Sequence, residues 1–458
     1  MDAVLLIDFG STNTKVTAVD IDSATLLGTA AAFTTVGTDV GEGLENALIQ
    51  LREKCGDIVF SRRYACSSAA GGLRMAASGL VPGLTAEAAK LASLGAGAKV
   101  VKVFSYEMTD EDIAELEQIK PDIFLLTGGT DGGNTACITH NAAMLAGCRG
   151  DFPIIIAGNR NAAAACEKRL AGRQIIRCPN VMPRLNQPEI EPVQAVIRTL
   201  FLERIIQAKG LSRESALVEG ILMPTPSAVK RAVELLSTGT RQQRGLGELV
   251  AVDLGGATTD VYSVAEGMPE HPSTLLKGMV EPRSKRTVEG DIGMRYSAGG
   301  VLATFGAQKL AELSGQSEAE IAAWVANLDQ NPDALPQNEA ESAMDFALAA
   351  AASLTAVARH AGSLEQIYTL AGPALVQTGK ELRPVKALVL TGGAIIASPR
   401  AAEVGACACY SESEPMSLRP RSPDIYVDRQ YILAAMGLLA DSHPAVALAI
   451  MKQEIIRA

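Results

Sequence analysis

The chain has 458 residues, of which 48% are hydrophobic, and its formal net charge is −10 at neutral pH. A chain of this length can bury the cores of two or three domains, and its acidity argues against a nucleic-acid-binding surface as the main function. No segment is long and apolar enough to predict a membrane span, and no charged or apolar leader precedes the first predicted strand. We therefore expect a cytoplasmic protein.

The 8 cysteines include no C-x-x-C pair. The closest spacing is Cys407-Ala408-Cys409, which has no histidine nearby in the sequence. This pattern is a weak indication of a metal site, so we expect buried free thiols.

The first predicted element is a β-hairpin near the N-terminus. Apolar residues 4–7 precede its tip and residues 16–19 follow it. The tip reads Asp8-Phe9-Gly10-Ser11-Thr12-Asn13-Thr14-Lys15. Gly10 lets the backbone approach a ligand closely, the N–H groups of such a turn form an anion site, and Lys15 supplies a point charge for phosphate. A plain hairpin would explain a single copy equally well.

Residues 57–178 alternate predicted strands and helices, which indicates a parallel, doubly wound sheet. One loop in this region, between a strand and a helix, is rich in glycine: Thr127-Gly128-Gly129-Thr130-Asp131-Gly132-Gly133-Asn134. Such a loop either binds an anion at the start of the helix or needs glycine only for a tight turn, and both interpretations remain open.

Helices are predicted over residues 189–209 and 217–236, and the Gly-, Gln- and Arg-rich residues 237–247 form the candidate boundary between two halves of the chain. Beyond the boundary, residues 277–286 are basic. For the side chains of Arg283, Lys285 and Arg286 we expect a solvated face.

A second hairpin tip begins the second half of the chain. Apolar strand candidates at residues 249–252 and 261–264 flank Asp253-Leu254-Gly255-Gly256-Ala257-Thr258-Thr259-Asp260. This tip repeats the Asp of the first tip, the Gly two positions later and the Thr six positions later, while Asp260 stands where the first tip has Lys15. Two copies in the same context indicate duplicated halves that hold one nucleotide.

The chemistry of the two tips predicts a cation as well as a phosphate. The carboxylates of Asp8 and Asp253 would repel a phosphate unless a cation lay between them. Mg²⁺ favours a few carboxylates, waters and phosphate oxygens. We therefore expect Asp8 and Asp253 to hold Mg²⁺ through water.

Three further segments complete the predicted elements. Residues 287–295 contain Glu289 and could orient a water molecule, or could simply begin a capped helix. An Ala-rich helix at residues 341–360 carries Arg359, and a buried strand then leads into Gly392-Gly393-Ala394. Two apolar helices, predicted at residues 428–441 and 444–457, are expected to return and pack on the first half.

The two tips and the Gly-Gly-Ala segment resemble, in the same order, the two phosphate loops and the adenosine motif of the actin, sugar-kinase and heat-shock chaperone ATPase superfamily. The resemblance implies an α/β fold of duplicated actin-like ATPase (ribonuclease H-like) domains. It places the first half at residues 1–247, with an inserted doubly wound region at about residues 57–180. The second half, with the adenosine motif, follows at 248–427 and the C-terminal helices at 428–458.

The same resemblance implies ATP and Mg²⁺ as ligands and assigns roles to the site residues. Asp8, Asp253 and Glu289 are the expected catalytic residues, and Arg359 is expected to contact adenosine unless it is solvent-facing or ion-paired. The remaining expected nucleotide-binding residues are Gly10, Ser11, Thr12, Asn13, Thr14, Lys15, Gly255, Gly256, Ala257, Thr258, Thr259, Asp260, Gly392, Gly393 and Ala394.

Within the superfamily, residues 6–15, the loop at 127–133 and residues 288–295 resemble the glutamate mutase accessory protein family. The resemblance implies a slow ATPase that acts as a chaperone and exchanges damaged cobalamin on an adenosylcobalamin-dependent mutase. None of the 4 histidines lies in the Asp-x-His-x-x-Gly pattern of cobalamin-carrying domains, so we expect the partner to hold the cobalamin.

Two other classes of function remain open from the sequence. A small-molecule kinase of the same superfamily would need a catalytic Asp in a deep cleft, and an actin-like filament protein would need a self-complementary head-to-tail surface. We expect the inserted region to recognise the partner, because the minimal fold has no place for it. A homodimer is also compatible with the sequence.

Overall fold

The computed structural model describes residues 1–10, 12–34, 40–68, 73–208, 221–370 and 372–458. The strands, numbered in chain order, are β1 (Ala3–Phe9), β2 (Asn13–Asp20), β3 (Thr25–Phe33), β4 (Arg62–Ser67), β5 (Arg74–Gly79), β6 (Lys99–Ser105), β7 (Ile123–Leu126), β8 (Ile154–Ile156), β9 (Ile175–Arg177), β10 (Ile221–Pro224), β11 (Leu249–Leu254), β12 (Thr259–Val264), β13 (Leu275–Lys277), β14 (Ser284–Glu289), β15 (Ser363–Thr369), β16 (Gly372–Thr378), β17 (Ala387–Thr391), β18 (Asp424–Asp428) and β19 (Ile455–Arg457).

The helices are α1 (Val40–Cys55), α2 (Glu87–Gly95), α3 (Asp110–Ile119), α4 (Ala136–Gly147), α5 (Ala163–Arg169), α6 (Glu191–Ala208), α7 (Thr225–Thr238), α8 (Ala298–Phe305), α9 (Ala307–Ser314), α10 (Glu318–Gln330), α11 (Glu339–His360), α12 (Gly393–Ala397), α13 (Ala401–Ala408), α14 (Leu433–Leu439) and α15 (Pro444–Glu454). A short π-helical turn, Pro82–Ala86, leads into α2. The N-termini of α3 and α10 carry capping boxes, at Thr109 with Asp112 and at Ser317 with Glu320.

Two sheets have the same design. The first has the strand order β10-β4-β1-β2-β3, and the second has β18-β17-β11-β12-β14, extended at its β18 edge by the antiparallel strand β19. In each sheet an antiparallel hairpin, β1/β2 or β11/β12, continues through parallel pairs to two further strands. This repetition confirms the duplicated actin-like fold predicted from the two motif copies.

A third sheet of five strands, all parallel, has the order β6-β5-β7-β8-β9. Helices cover both faces of it. Residues of α2 and α6 form one apolar cluster with β5 and β7, and residues of α3, α4 and α5 form another. Because parallel strands are buried on both faces, their sequences are continuous apolar runs, and the predicted doubly wound region is confirmed.

One strand of the predicted insert belongs elsewhere. Residues 57–67 were expected to begin the inserted region, but β4 pairs in parallel with β1, and Cys66 lies opposite Asp8. The third sheet therefore starts only with β5. Periodicity alone cannot assign a short apolar strand to a sheet, since that depends on pairing partners far along the chain. The division into domains at 247 and 427 stays a prediction.

The predicted helix at 217–236 is partly wrong. Its first part, residues 217–220, lies outside the described residues, and residues 221–224 form β10 at the edge of the first sheet. Pro224 then precedes α7, whose first turn contains a second proline, as suits a helix start. The last C-terminal helix is also shorter than predicted, since its final three residues form β19.

The C-terminal helices α14 and α15 pack against α7, β1 and β3, and their place in the predicted division into domains stays a prediction. Helix α14 crosses α7 closely, and a Cβ atom on Gly437 would lie 1.8 Å from the carbonyl oxygen of Ala228. The apolar cluster around this crossing includes Val4 and Leu6 of β1 together with Leu249 and Ala251 of β11. Both halves therefore share one core beneath the two hairpins.

A small mixed sheet of three strands, in the order β13-β16-β15, belongs to the second half.

Among the described helices, α11 is the one with the length and composition to cross a membrane. Of its most apolar 18-residue window, 61% is buried inside the protein, and its alanines contribute to the core of the second half. All 8 cysteines are free, and six of them are buried.

Candidate nucleotide site

The two hairpin tips have the same backbone geometry. In the first tip the N–H of Gly10 donates to the carbonyl of Asn13 at 3.1 Å, and in the second Gly255 donates to Thr258 at 2.9 Å. Asp8 lies opposite Lys15 in the first hairpin, and Asp253 lies opposite Asp260 in the second. The repeat read from the sequence is therefore also a structural repeat.

Glycine is required at the third position of each tip. A Cβ atom on Gly10 would lie 2.5 Å from the Asn13 carbonyl oxygen, and one on Gly255 would lie 2.8 Å from that of Thr258. Both distances are too short for a side chain, so any other residue would open the turn. Tight turns of this kind can present backbone N–H groups to an anion.

The predicted residues at the tips fall into three groups. Thr14 and Thr259 are buried, and their hydroxyls bond within the protein, to Thr34 and to the carbonyl of Ile292. Seven predicted nucleotide-binding residues remain partly or fully exposed at the tips: Thr12, Asn13, Lys15, Gly255, Gly256, Ala257 and Thr258. Ser11 lies outside the described residues.

A chain of three side chains joins the two tips. The Nζ atom of Lys15 lies 3.4 Å from Oδ2 of Asp8 and 3.6 Å from the centre of the Tyr431 ring. The hydroxyl of Tyr431 in turn donates to Oδ1 of Asp253 at 3.3 Å. The carboxylates that the sequence singled out thus lie near each other, with a lysine and a tyrosine between them. We call the space between the two tips the cleft.

Asp253 carries an unfavourable charge in this cleft. Burial, and after it the nearby carboxylates of Asp260 and Asp8, raise its pKa to about 7, although Lys15 and the Tyr431 hydroxyl act in the opposite direction. Desolvation and like charges both disfavour the ionised form of a carboxyl group. The site is therefore short of positive charge near Asp253.

The carboxylate of Asp8 has more hydrogen-bonding partners than that of Asp253. Its Oδ1 accepts a hydrogen bond of 2.5 Å from the hydroxyl of Thr225, the first residue of α7. Lys15 balances its charge on the other oxygen, and the buried thiol of Cys66 lies 3.5 Å from Oδ1. Thr225 therefore fixes the orientation of the carboxylate, a role that sequence reasoning missed because Pro224 and Pro226 marked it only as a helix break.

Asp260 forms an ion pair through its Oδ1 atom, and its expected contact with nucleotide stays a prediction. It pairs with the guanidinium of Arg286, with its Oδ1 2.7 Å from Nε and 2.5 Å from Nη2. Arg286 is 5% exposed and Asp260 is 9% exposed, so the prediction of a solvated basic face is wrong for Arg286 and for Lys285, which is 6% exposed. An arginine is buried here because its donors are taken up by fixed acceptors.

Arg286 also reaches the inserted region. Its Nη1 donates to the carbonyl of Leu94 at 2.8 Å and to that of Ala98 at 3.3 Å, at the C-terminal end of α2. The negative end of a helix suits a guanidinium. A single side chain therefore connects the second hairpin, through Asp260, to the third sheet's helix layer.

Glu289 and Arg359 form an ion pair of 2.5 Å. Glu289 ends β14 opposite Thr259, next to the second tip. Arg359 is 47% exposed and Glu289 is 14% exposed. Arg359 is therefore ion-paired, and its expected contact with adenosine stays a prediction.

The segment after Glu289 supports the second tip and does not begin a helix, so that alternative is wrong. The N–H groups of Met294 and Arg295 donate to the carbonyls of Gly255 and Gly256 at 3.0 and 2.8 Å. Helix α8 starts only at Ala298.

The predicted adenosine motif lies directly beside the second tip. Gly392 takes a φ of 110°, and a Cβ atom on it would lie 2.2 Å from the carbonyl oxygen of Leu254. Gly393, in contrast, has open space where a Cβ atom would be, so its backbone is accessible to a ligand. Ala394 follows in α12.

Asp428 connects the end of β17 to the start of α14. Its carboxylate is fully buried and accepts hydrogen bonds from the Thr391 hydroxyl and from the N–H groups of Ile432 and Leu433. It therefore fixes the start of α14, and with it Tyr431, against the end of β17.

The glycine-rich loop at 127–134 is held by asparagines. Asn159 donates to the carbonyls of Gly133 and Asn134, and Asn180 donates to the carbonyl of Gly129 and to Asp131. These bonds and the positive φ values of three of its glycines account for its shape. Both interpretations of this loop stay open.

No group of three or more His, Cys, Asp and Glu side chains gathers as a metal site within the described residues.

Comparisons with known proteins agree with the sequence resemblance. The family described as MutL protein matches residues 4–455. Protein MutL from Clostridium tetanomorphum is 43% identical over 461 residues, which cover 100% of both chains.

Among solved structures, the activator of 2-hydroxyisocaproyl-CoA dehydratase from Clostridium difficile with bound ADPNP is 10% identical, with a TM-score of 0.34, and covers 100% of this chain and 99% of its own. A diol dehydratase-reactivating factor in nucleotide-free form is 12% identical, with a TM-score of 0.36, and covers 97% of this chain and 100% of its own. These two similarities are too low to support any inference about function. The family match and the relative both span the chain almost from end to end, so the chain belongs to the MutL protein family.

Proposed function

We propose that this protein binds Mg-ATP between the two hairpin tips, hydrolyses it slowly, and uses the cycle as a chaperone or reactivating accessory factor for an adenosylcobalamin-dependent mutase such as glutamate mutase. The observation that carries the nucleotide part is the pair of equivalent tips, joined across one cleft by Lys15, Tyr431 and Asp253. The mutase as partner rests on the family resemblance.

The residues of the cleft fit a magnesium–phosphate ligand. In this proposal, backbone N–H groups of the two tips would contact the phosphates, Lys15 would offer a point charge, and Asp8 and Asp253 would hold Mg²⁺ through water. When bound, Mg²⁺ supplies the positive charge that neutralises the phosphate oxygens. A cation would also relieve the unfavourable charge of Asp253.

Hydrolysis needs a group that orients the attacking water. Glu289 is our candidate, because it lies opposite Thr259 at the second tip. Arg359 is paired with its carboxylate. If nucleotide binding draws Arg359 toward adenosine, Glu289 is released to accept a proton or a hydrogen bond from water.

Coupling to a partner would proceed through the inserted region, which we propose as the partner-recognition face. Arg286 supports this step, since it bonds both Asp260 at the second hairpin and the end of α2. Closure around nucleotide can then shift the position of the insert as a population shift. A switch must dwell in each state, so we expect turnover well below the roughly 1–100 s⁻¹ of kinases.

Calorimetric titration of Mg-ATP tests the proposal. We expect one site per chain, weakened by Asp8→Ala or Asp253→Ala and unchanged by Asp151→Ala, which removes an exposed carboxylate from the insert. Undiminished binding in both cleft variants would contradict the two-tip site. Rapid phosphorylation of a small metabolite would favour the kinase alternative, and nucleotide-dependent polymerisation would favour the filament alternative.

The partner is tested by capture of purified mutase subunits with ATP and with ADP. A difference in capture between the two nucleotides supports the chaperone role, and no capture in either state contradicts it. We propose that the protein is cytoplasmic. We also propose that the mutase subunits, and not this chain, bind the cobalamin. Size-exclusion chromatography with light scattering tests whether the chain is a homodimer.

A further inference from the structure

A second polar cavity lies away from the nucleotide cleft. It has a volume of about 350 Å³ and is formed between β4, α6, α7 and the turn that follows α14. Its polar lining includes Tyr64, Arg198, Thr199, Arg231, Asp441 and Ser442. None of these residues contributes to the site of Asp8 and Asp253.

The charges in this cavity do not balance. Arg231 forms an ion pair with Asp441. The neighbouring Glu234 pairs with Lys230 at 3.3 Å. Arg198, in contrast, has no hydrogen bond or ion pair within the described part of the chain. Among the described residues, two guanidinium groups therefore line the cavity with one carboxylate, that of Asp441, while Glu234 lies near enough to act on both arginines.

Both arginines are partly removed from water. Arg198 and Arg231 are half-buried side chains. Burial and then the charge of Arg231 lower the pKa of Arg198, and the carboxylate of Glu234 offsets this only in part. A charged group that loses water without gaining a partner is destabilising. The free protein thus keeps an unfavourable arrangement that a bound anion would relieve.

We infer that this cavity binds a small oxyanion, a phosphate or carboxylate group, between Arg198 and Arg231. The planar fork of a guanidinium matches the oxygens of either group, often with two parallel hydrogen bonds. The phenol of Tyr64 and the hydroxyl of Thr199 line the same cavity and can donate further hydrogen bonds.

The position of the cavity makes it a junction of three parts of the fold. Arg198 lies on α6, which packs on the third sheet, whereas Arg231 lies on α7 of the first half. Asp441 and Ser442 follow α14. An oxyanion bound there would tie the helix layer of the insert to the C-terminal helices. The proposal does not depend on nucleotide binding at the hairpin tips.

Calorimetry with the full chain tests the site, with inorganic phosphate and succinate as separate probes. Arg198→Ala should weaken binding of the preferred probe by roughly 10- to 100-fold, because one charge-assisted interaction contributes that much. Arg198→Lys should lose less, since it keeps the charge. Arg52→Ala is the matched control, because it removes an exposed arginine from α1 on the opposite face of the first sheet.

Thermal unfolding separates a binding role from a structural one. Without anion, Arg198→Ala should melt at the same temperature as the parent or higher, because it removes a like-charge contact. The preferred probe should raise the melting temperature of the parent and not that of Arg198→Ala. The inference is overturned if neither probe binds, if Arg198→Ala binds as well as the parent, or if binding responds to Asp253→Ala and not to Arg198→Ala.

Discussion

The hydroxyl of Tyr431 donates a hydrogen bond of 3.3 Å to Asp253, although 178 residues separate them in the sequence. Tyr431 takes a φ of 55°, which is uncommon for a residue other than glycine. Its N–H donates to the carbonyl of Asp428, and Asp428 in turn fixes the start of α14. The fold therefore holds Tyr431 in a costly conformation that presents its ring to Lys15 and its hydroxyl to Asp253.

Tyr431→Phe tests this bridge. The variant keeps the ring over Lys15 and removes the hydrogen bond that lowers the pKa of Asp253. Asp253 should then ionise less readily, and Mg-ATP binding near neutral pH should weaken about fivefold, as expected for one hydrogen bond of about 1 kcal/mol. Calorimetry gives the affinity. Tyr368→Phe, at an 83% exposed tyrosine, should bind as the parent does, and equal affinities in all three proteins would refute the bridge.

The raised pKa of Asp253 predicts a pH dependence of stability. Its pKa rises from the ordinary aspartate value of 3.8 to about 7 in the folded protein, so between these values the folded state binds more protons than the unfolded state. Stability from this group is therefore fully present below about pH 4 and is lost as the pH rises to about 7. The melting temperature of the parent, compared with that of Asp253→Asn, should therefore fall as the pH rises from 5 to about 7 and change little from there to pH 8.

The same group predicts proton release on ligand binding. A cation held by Asp253 favours its ionised form, so Mg-ATP binding should tighten as the pH rises through 7 and should release a proton below it. Calorimetry in buffers of different ionisation enthalpy measures the proton count. Asp253→Asn should remove the release. A release of the same size in that variant would assign the proton to another group.

The hairpin tips and the two-sheet design could be predicted from sequence because the signal is local and occurs twice. Each tip has its glycine, threonine and aspartate within eight residues, between two apolar strands. The parallel third sheet could also be predicted from the sequence, because strands that are buried on both faces have continuous apolar runs.

The connections around the tips could not be predicted, because their partners are distant in the chain. Arg286 meets carbonyls 192 and 188 residues away, and nothing in its own segment distinguishes it from a solvated arginine. Thr225 reaches Asp8 over 217 residues. Residues 221–224 form a strand only because β4 offers an edge.

The Arg286–Asp260 pair leads to a prediction about how nucleotide binding affects the inserted region. Removing Arg286 alone would leave a buried carboxylate unpaired and cost about 3–5 kcal/mol of stability. The double variant Asp260→Asn with Arg286→Met removes both charges and should still fold. Mg-ATP should change hydrogen exchange of α2 in the parent, and this response should be lost in the double variant while nucleotide binding persists.

Arg283→Met is the matched control for this experiment, because Arg283 lies just before β14 and is 45% exposed. It should leave the response of α2 unchanged. If the double variant binds nucleotide and α2 responds as in the parent, the connection through Arg286 does not transmit the signal.

The Glu289–Arg359 pair predicts two different defects from two substitutions. Glu289→Gln keeps the shape of the side chain and removes the charge, so Mg-ATP should still bind, phosphate release should fall, and a complex with the mutase partner should accumulate. Arg359→Ala frees Glu289 in the absence of nucleotide and removes the expected adenosine contact, so it should weaken binding more than it slows hydrolysis. Rapid-quench measurement of single turnovers separates the two effects. Glu403→Gln, in the exposed pair that Arg400 and Glu403 form at 2.6 Å, should match the parent in both. Hydrolysis by Glu289→Gln at the parent rate would show that another group orients the water.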